Sequence, residues 1–248
     1  MFSGVVATTV NAVVMAVAYP LYLYFLGYEK YGVWLVLATV LTFVQLSNLG
    51  IGPAVMKLVA EEYGRGDIEA VRRYITAALV MLCISGTVAL IVILTFKSQI
   101  ISLFKLSDEN AAMASRLLPY IGVLSIYVFV VQVFDAALSG LGRMDLSNYT
   151  QSLGRVATVI IAAVLLCKTC GIESMLIASI ASYVLIHVAT VICIWRVAPV
   201  RFLRVAGLNT QCCKRLLNFG GGVFGSSLLS MLISPFNKLM LSRYVGVS

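Results

Sequence analysis

From Val33 to Met56 the chain carries no charged residue, and Lys57, Glu61, Glu62, Arg65 and Asp67 follow directly. A helix rising about 1.5 Å per residue crosses a hydrocarbon core in about 20 residues, so this run is long enough to span a membrane. Long uncharged runs between short charged ones recur along the whole chain. They predict helices over 2–26, 33–56, 71–96, 116–138, 146–168, 173–196 and 214–244, the last broken by Pro235. A polar segment from Lys97 to Arg116 separates the third helix from the fourth. Gly50, Gly52 and Pro53 predict a kink near the end of the second, because Pro withholds a backbone donor and Gly weakens a helix. The first span has no basic leader and no small-residue cleavage site, so it reads as a retained helix and not as a signal peptide.

Composition agrees with the pattern. With 61% hydrophobic and 11% charged residues and a mean hydropathy of +1.00, the chain is an all-α polytopic membrane protein, far from the roughly one-quarter charged share of a soluble domain. The net charge of +8 is unevenly spread. Loops and helix ends after the second, fourth and sixth spans hold Lys57, Arg65, Arg72, Arg73, Arg143, Arg155, Arg196, Arg201, Arg204, Lys214 and Arg215. The opposite side holds Lys30, Lys97, Lys105, Arg116, Lys168 and Arg243. The excess places the even-numbered loops, and the N-terminus with them, in the cytoplasm. The stretch from Arg196 to Arg215 interleaves arginines with apolar residues, which suits the lipid headgroups of the inner leaflet. Its basic density is too low for a nucleic-acid surface.

Several motifs are excluded by their setting. Cys167 and Cys170 have CxxC spacing, but His187 is the only histidine and no second ligand pair accompanies them, so no metal site is expected. The six cysteines read as free thiols or small apolar positions. Gly220, Gly222 and Gly225 match a dinucleotide fingerprint, yet they lie in a membrane helix without the flanking strand and read as helix packing; no cofactor is expected. Asn148-Tyr149-Thr150 is a glycosylation sequon on the cytoplasmic side.

Three short motifs carry a family resemblance. Leu26, Gly27, Glu29, Tyr31 and Gly32 form LGxExYG; Leu49, Gly50 and Gly52 follow near a helix end; Gly64, Gly66 and Asp67 close a polar extension. This order resembles the oligosaccharide flippases of the MATE-like multidrug, oligosaccharidyl-lipid and polysaccharide exporter superfamily. Asn48 stands where many relatives have Asp. The resemblance implies two six-helix lobes. Leu217-Asn218-Phe219-Gly220 and Asn237 to Leu241 resemble the opening of the second lobe, with Asn237 at a position commonly Asp. Residues 1–196 then form the six-helix N-terminal lobe, 197–213 a cytoplasmic amphipathic connector, and 214–248 the first helix of an incomplete C-terminal lobe. The chain reads as a fragment or a truncated copy that does not transport alone.

The implied function is transport of a lipid-linked oligosaccharide or polysaccharide precursor across a prokaryotic inner membrane by alternating access, without enzymatic chemistry. Partners would be the lipid-linked glycan, membrane lipids, and a glycan polymerase or glycosyltransferases. A cation-coupled drug extruder of the same superfamily and a non-transporting scaffold of glycan assembly remain alternatives. A membrane enzyme lacks a catalytic histidine with a carboxylate in the outer loops. Candidate cavity residues are the ionisable and amide groups at membrane depth: Arg155, Asp135, Asn11, Gln45, Asn48, Gln132, Asn237 and Lys238. Asp135 and Arg155 lie equally far from Asp145, so a turn there would pair them across a hairpin. They either tie two helices together or leave Arg155 to hold phosphate oxygens in a vestibule. Lys238 either faces the cavity or snorkels to the interface. His187 reads as a packed residue, and Tyr19, Tyr22, Tyr24, Tyr28, Tyr31 and Trp34 as an interfacial belt.

Overall fold

The computed structural model describes residues 2–46, 48, 50–104, 106–169, 171–197, 207 and 209–244, with backbone only at 2, 46, 169, 228 and from 230 onward. Among the described residues eight helices form: α1 (Phe2–Leu46), α2 (Ile51–Gly64), α3 (Ile68–Thr95), α4 (Lys97–Ser102), α5 (Asp108–Gly140), α6 (Met144–Thr169), α7 (Glu173–Val197) and α8 (Thr210–Tyr244). No strand occurs among the described residues.

The first helix is two limbs, because Gly27 takes φ 73° and ψ 171°, which interrupts the helical path. In a straight helix Tyr19 and Tyr31 would stand about 18 Å apart. Their ring centroids are 5.6 Å apart, and those of Tyr22 and Tyr31 are 6.4 Å apart. The chain therefore doubles back at Gly27, and the aromatic cluster closes the hairpin. Tyr24 and Tyr28, 84% and 80% exposed, flank the turn as the expected belt, whereas Tyr22 is buried in the cluster. Among the described residues five helices are long and apolar enough to cross a membrane, and dividing α1 at Gly27 makes six candidate spans.

The second predicted span is broken outright, not kinked. Limb 28–46 ends, Gly50 adopts a left-handed φ of 71°, and α2 begins at Ile51 with Pro53 in its first turn, where a missing N–H leaves no bond unmade. Asp67 then caps α3 by accepting from the Ala70 amide at 2.8 Å. The polar segment after α3 folds into the short α4 and the first two turns of α5. The backbone of α8 stays helical through Pro235, where a break was expected.

At the centre stands α5, which packs against α1, α2, α3, α4, α6 and α7. Its most apolar stretch is 56% buried, twice the share of α3 or α7, so it is the core helix while the others also face lipid. Phe129, Leu118, Ile121 and Leu138 are fully buried on it. Without a hydrophobic driving force inside lipid, close packing holds such helices together. The α2 and α5 backbones touch at Gly140, where an added Cβ would sit 2.7 Å from the Met56 carbonyl and 2.9 Å from Val59. Gly140→Ala should therefore separate α2 from α5 and lower stability by about 1–3 kcal/mol, read by thermal unfolding in detergent.

The first turns of α8 dock on α2 and α3. Arg215 donates to the Tyr74 hydroxyl at 3.0 Å and lies 3.6 Å from the buried Glu62 carboxylate. Lys57 places its ammonium 4.1 Å from the centre of the Phe219 ring. Beside them the Gly50 and Gly220 backbones meet so closely that a Cβ on Gly50 would strike the Gly220 carbonyl. Of the glycine run only Gly220 makes this close contact; a Cβ on Gly221, Gly222 or Gly225 would meet nothing within 4 Å, so the packing expected of Gly222 and Gly225 is not made.

Candidate functional site

A cavity of about 420 Å3 opens among the second limb of α1 and helices α5, α6 and α7. Each of the three later helices presents one stripe to it, spaced three and four residues apart: Val128, Val131, Gln132 and Asp135 from α5; Gln151, Gly154, Arg155 and Thr158 from α6; Ser179, Ser182, Tyr183 and Ile186 from α7. Leu41 and Gln45 complete the wall from α1. This is a polar site inside an apolar bundle, a costly arrangement unless something uses it.

The carboxylate of Asp135 is held from both sides. Oδ1 accepts from the Ser147 hydroxyl at 2.6 Å and Oδ2 from the Gln151 amide at 2.7 Å. Its expected ion pair with Arg155 is not made. The reason lies in the hairpin: α5 ends at Gly140, Gly142 takes the left-handed φ of 80°, and α6 starts at Met144, so the turn is centred before Asp145. The position opposite Asp135 then falls between Ser147 and Gln151, with Arg155 one turn deeper. Asp145 instead pairs with Arg143 at 3.1 Å. Among the described residues no carboxylate pairs with Arg155, which is exposed at the cavity.

The remaining polar groups divide by role. Thr158, Ser179 and Ser182 donate their hydroxyl hydrogens to helix carbonyls one turn back, at 2.9, 2.8 and 2.7 Å. Their oxygens keep lone pairs that can accept from a ligand. Gln132 accepts at 2.8 Å from Asn48, whose own oxygen takes the Gly52 amide at 3.2 Å. Asn48 therefore stitches the helix break to the cavity wall, and the Gln132 amide hydrogens remain for a ligand. The site offers guanidinium and amide donors beside hydroxyl acceptors.

Of the sequence candidates, Arg155, Asp135, Gln45 and Gln132 come together here, and Asn48 supports them from behind. Asn11 lies half-buried on the first limb of α1, away from this lining. The side chains of Asn237 and Lys238 lie outside the described residues. Sequence reading missed Gln151, Thr158, Ser179, Ser182 and Tyr183; the signal was their helical spacing with residues already chosen. His187 packs with Tyr127, whose hydroxyl is 3.1 Å from Nδ1, and with the Phe134 ring. Asn148 of the sequon donates to Ser3 at 3.3 Å and ties α6 to α1.

The fold is that of one half of a MATE-like transporter. The chain superposes on a crystal structure of MATE in complex with MaD5 with TM-score 0.72 at 18% identity, covering 93% of this chain and 52% of that one. A MOP superfamily transporter from Pyrococcus furiosus gives TM-score 0.71 at 16% identity, covering 96% and 54%. MATE in complex with Br-NRF gives 0.67 at 18% identity, covering 93% and 54%. The chain thus spans about half the length of these transporters. Direct comparison with curated protein sequences gives no match. Residues 1–248 match the family described as polysaccharide biosynthesis protein, and the chain belongs to that family.

Proposed function

We propose that this chain is the N-terminal lobe, with the first helix of the second, of a transporter that moves lipid-linked oligosaccharide or polysaccharide precursors across the prokaryotic inner membrane by alternating access. The observation that carries the reading is the polar cavity, in which Arg155 has no carboxylate partner among the described residues while Asp135 is already held by Ser147 and Gln151. A guanidinium without a partner suits the diphosphate linker of a glycolipid. Sugar hydroxyls donate to the oxygens of Thr158, Ser179 and Ser182 and accept from the free amide hydrogens of Gln132. The hydrocarbon tail stays in the bilayer beside the bundle. Rocking of two lobes would then switch the face to which the cavity opens.

The test is binding to the purified protein in detergent, by a thermal-shift titration with a polyprenyl-diphosphate oligosaccharide and with a lipophilic cation. Stabilisation by the glycolipid and not by the cation supports the proposal; the reverse preference assigns the cavity to drug extrusion and overturns it. Orientation has its own measurement. Cys167 is exposed at the end of α6 opposite the α5–α6 turn, whereas Cys212 is buried, which pushes its thiol up from the ordinary range. In intact cells carrying Cys170→Ser, a membrane-impermeant maleimide should label Cys167 and leave Cys212 unmodified. Labelling of Cys167 only after permeabilisation would reverse the topology.

A further inference from the structure

Two cavities lie one beyond the other along α3, the first between α3 and the start of α8 and the second between α3, the second limb of α1 and α4 with Leu217 of α8 at its edge, and neither belongs to the site above. The first, about 620 Å3, lies at the charged end and is lined by Arg73, Tyr74, Lys214 and Arg215 with two carboxylates, Glu62 and Asp67. Both carboxylates are committed within the protein. Glu62 faces Arg65 at 3.5 Å and Arg215 at 3.6 Å, while Asp67 caps α3 through the Ala70 amide. Arg73 reaches Asp67 only at 4.0 Å, and Lys214 has no ion-pair partner among the described residues. The hollow thus holds three cations against two carboxylates, Arg73 is only loosely paired, and the excess of positive charge falls on Arg73 and Lys214.

The second cavity, about 760 Å3, begins two turns further along α3 and is lined by Phe43, Ile84, Val88, Val92 and, from α8, Leu217. Arg73 to Ile84 spans about 16 Å of helix, the reach from a lipid phosphate into its acyl chains. A basic hollow at the water end that gives way to an apolar one is the profile of a single amphiphile with an anionic head.

We propose that the α3–α8 seam holds an anionic phospholipid, with its phosphate between Arg73 and Lys214 and one acyl chain against Ile84, Val88 and Leu217. Charge complementarity selects this occupant: a zwitterionic lipid fits the apolar part equally but brings a cation to Arg73 and Lys214. Two basic side chains near a membrane surface favour an anionic lipid by roughly tenfold or more over a zwitterionic one. The site is independent of the transport cavity.

Native mass spectrometry of the purified protein, with phosphatidylglycerol, phosphatidylcholine of the same chains, inorganic phosphate and a polyprenyl phosphate, tests this. We expect one phosphatidylglycerol retained at roughly tenfold the occupancy of phosphatidylcholine. Inorganic phosphate should not be retained. Arg73→Gln with Lys214→Gln should lower phosphatidylglycerol to the phosphatidylcholine level, whereas Arg73→Lys with Lys214→Arg keeps it, which shows that charge and not misfolding is responsible. Arg155→Gln should leave it unchanged. Equal retention of the two phospholipids, or full retention by the Gln variant, overturns the proposal. Displacement of phosphatidylglycerol by an equal amount of polyprenyl phosphate overturns the assignment to a phospholipid.

Discussion

Replacing Gly50 by valine should lower the unfolding free energy in detergent by about 2–5 kcal/mol. Two independent effects add at this position. The backbone sits at φ 71°, where any Cβ is strained and a β-branched one more so. The Cβ would also meet main-chain atoms of α8: the Gly220 carbonyl at overlapping distance, and the Gly220 carbon and Phe224 nitrogen at 3.1 Å. A flexible side chain could turn aside, but a helix backbone cannot, so α8 must move off α2. That movement also pulls Phe219 from Lys57 and Arg215 from Tyr74. Gly52→Ala is the control. Its added methyl meets only the Asn48 side chain at 3.7 Å, an ordinary contact, and Gly52 already lies in α2. Its stability should stay within about 1 kcal/mol of the parent. Urea titration with circular dichroism measures both, and equal stability of the two variants would refute the close α2–α8 contact.

The same region shows what the sequence could and could not disclose. Uncharged runs separated by charged ones placed six of the seven expected helices on apolar candidate spans among the described residues, because a bilayer forces that pattern on any helix crossing it, while the second of them is cut short at Leu46. The chemistry of Gly50 and Pro53 announced an interruption, but not that Asn48 would bridge it to Gln132, since that bond joins residues far apart in sequence. The reversal at Gly27 was legible, because the charged Glu29 and Lys30 separate two uncharged runs there; what the sequence did not disclose is how tight it is, with Tyr19 packed edge-on against Tyr31. Asp135 and Arg155 both line the cavity, but the ion pair that the sequence offered for them is not made. Depth follows from counting residues about a turn, and the count moved with the turn once Gly142, not Asp145, proved to make it. Ser179 and Ser182 escaped notice because a hydroxyl in a membrane helix usually bonds its own backbone. These two do so as well, and their place in the wall is set by packing against α6.

Arg155→Gln should weaken binding of a polyprenyl-diphosphate oligosaccharide by about 10- to 100-fold, the loss expected when a charge-assisted contact to phosphate is removed. The magnitude follows from the setting of the residue. Arg155 has no carboxylate partner among the described residues, so the substitution strands no buried anion and should change stability by less than about 0.5 kcal/mol. The whole effect then appears in ligand affinity. Arg155→Lys should recover part of it, because an ammonium keeps the charge but loses the paired N–H geometry of a guanidinium. Asp135→Asn separates the anion site from its framework. An amide there must turn one N–H2 toward either Ser147 or Gln151, both of which now donate, so this variant should lose stability first and affinity only through disorder of the wall. A neutral oligosaccharide without the diphosphate should bind Arg155→Gln and the parent alike, since its contacts are with hydroxyl oxygens and amides. If the diphosphate ligand binds the Gln variant within about twofold of the parent, Arg155 is not the phosphate group's partner and the cavity's charge has another purpose.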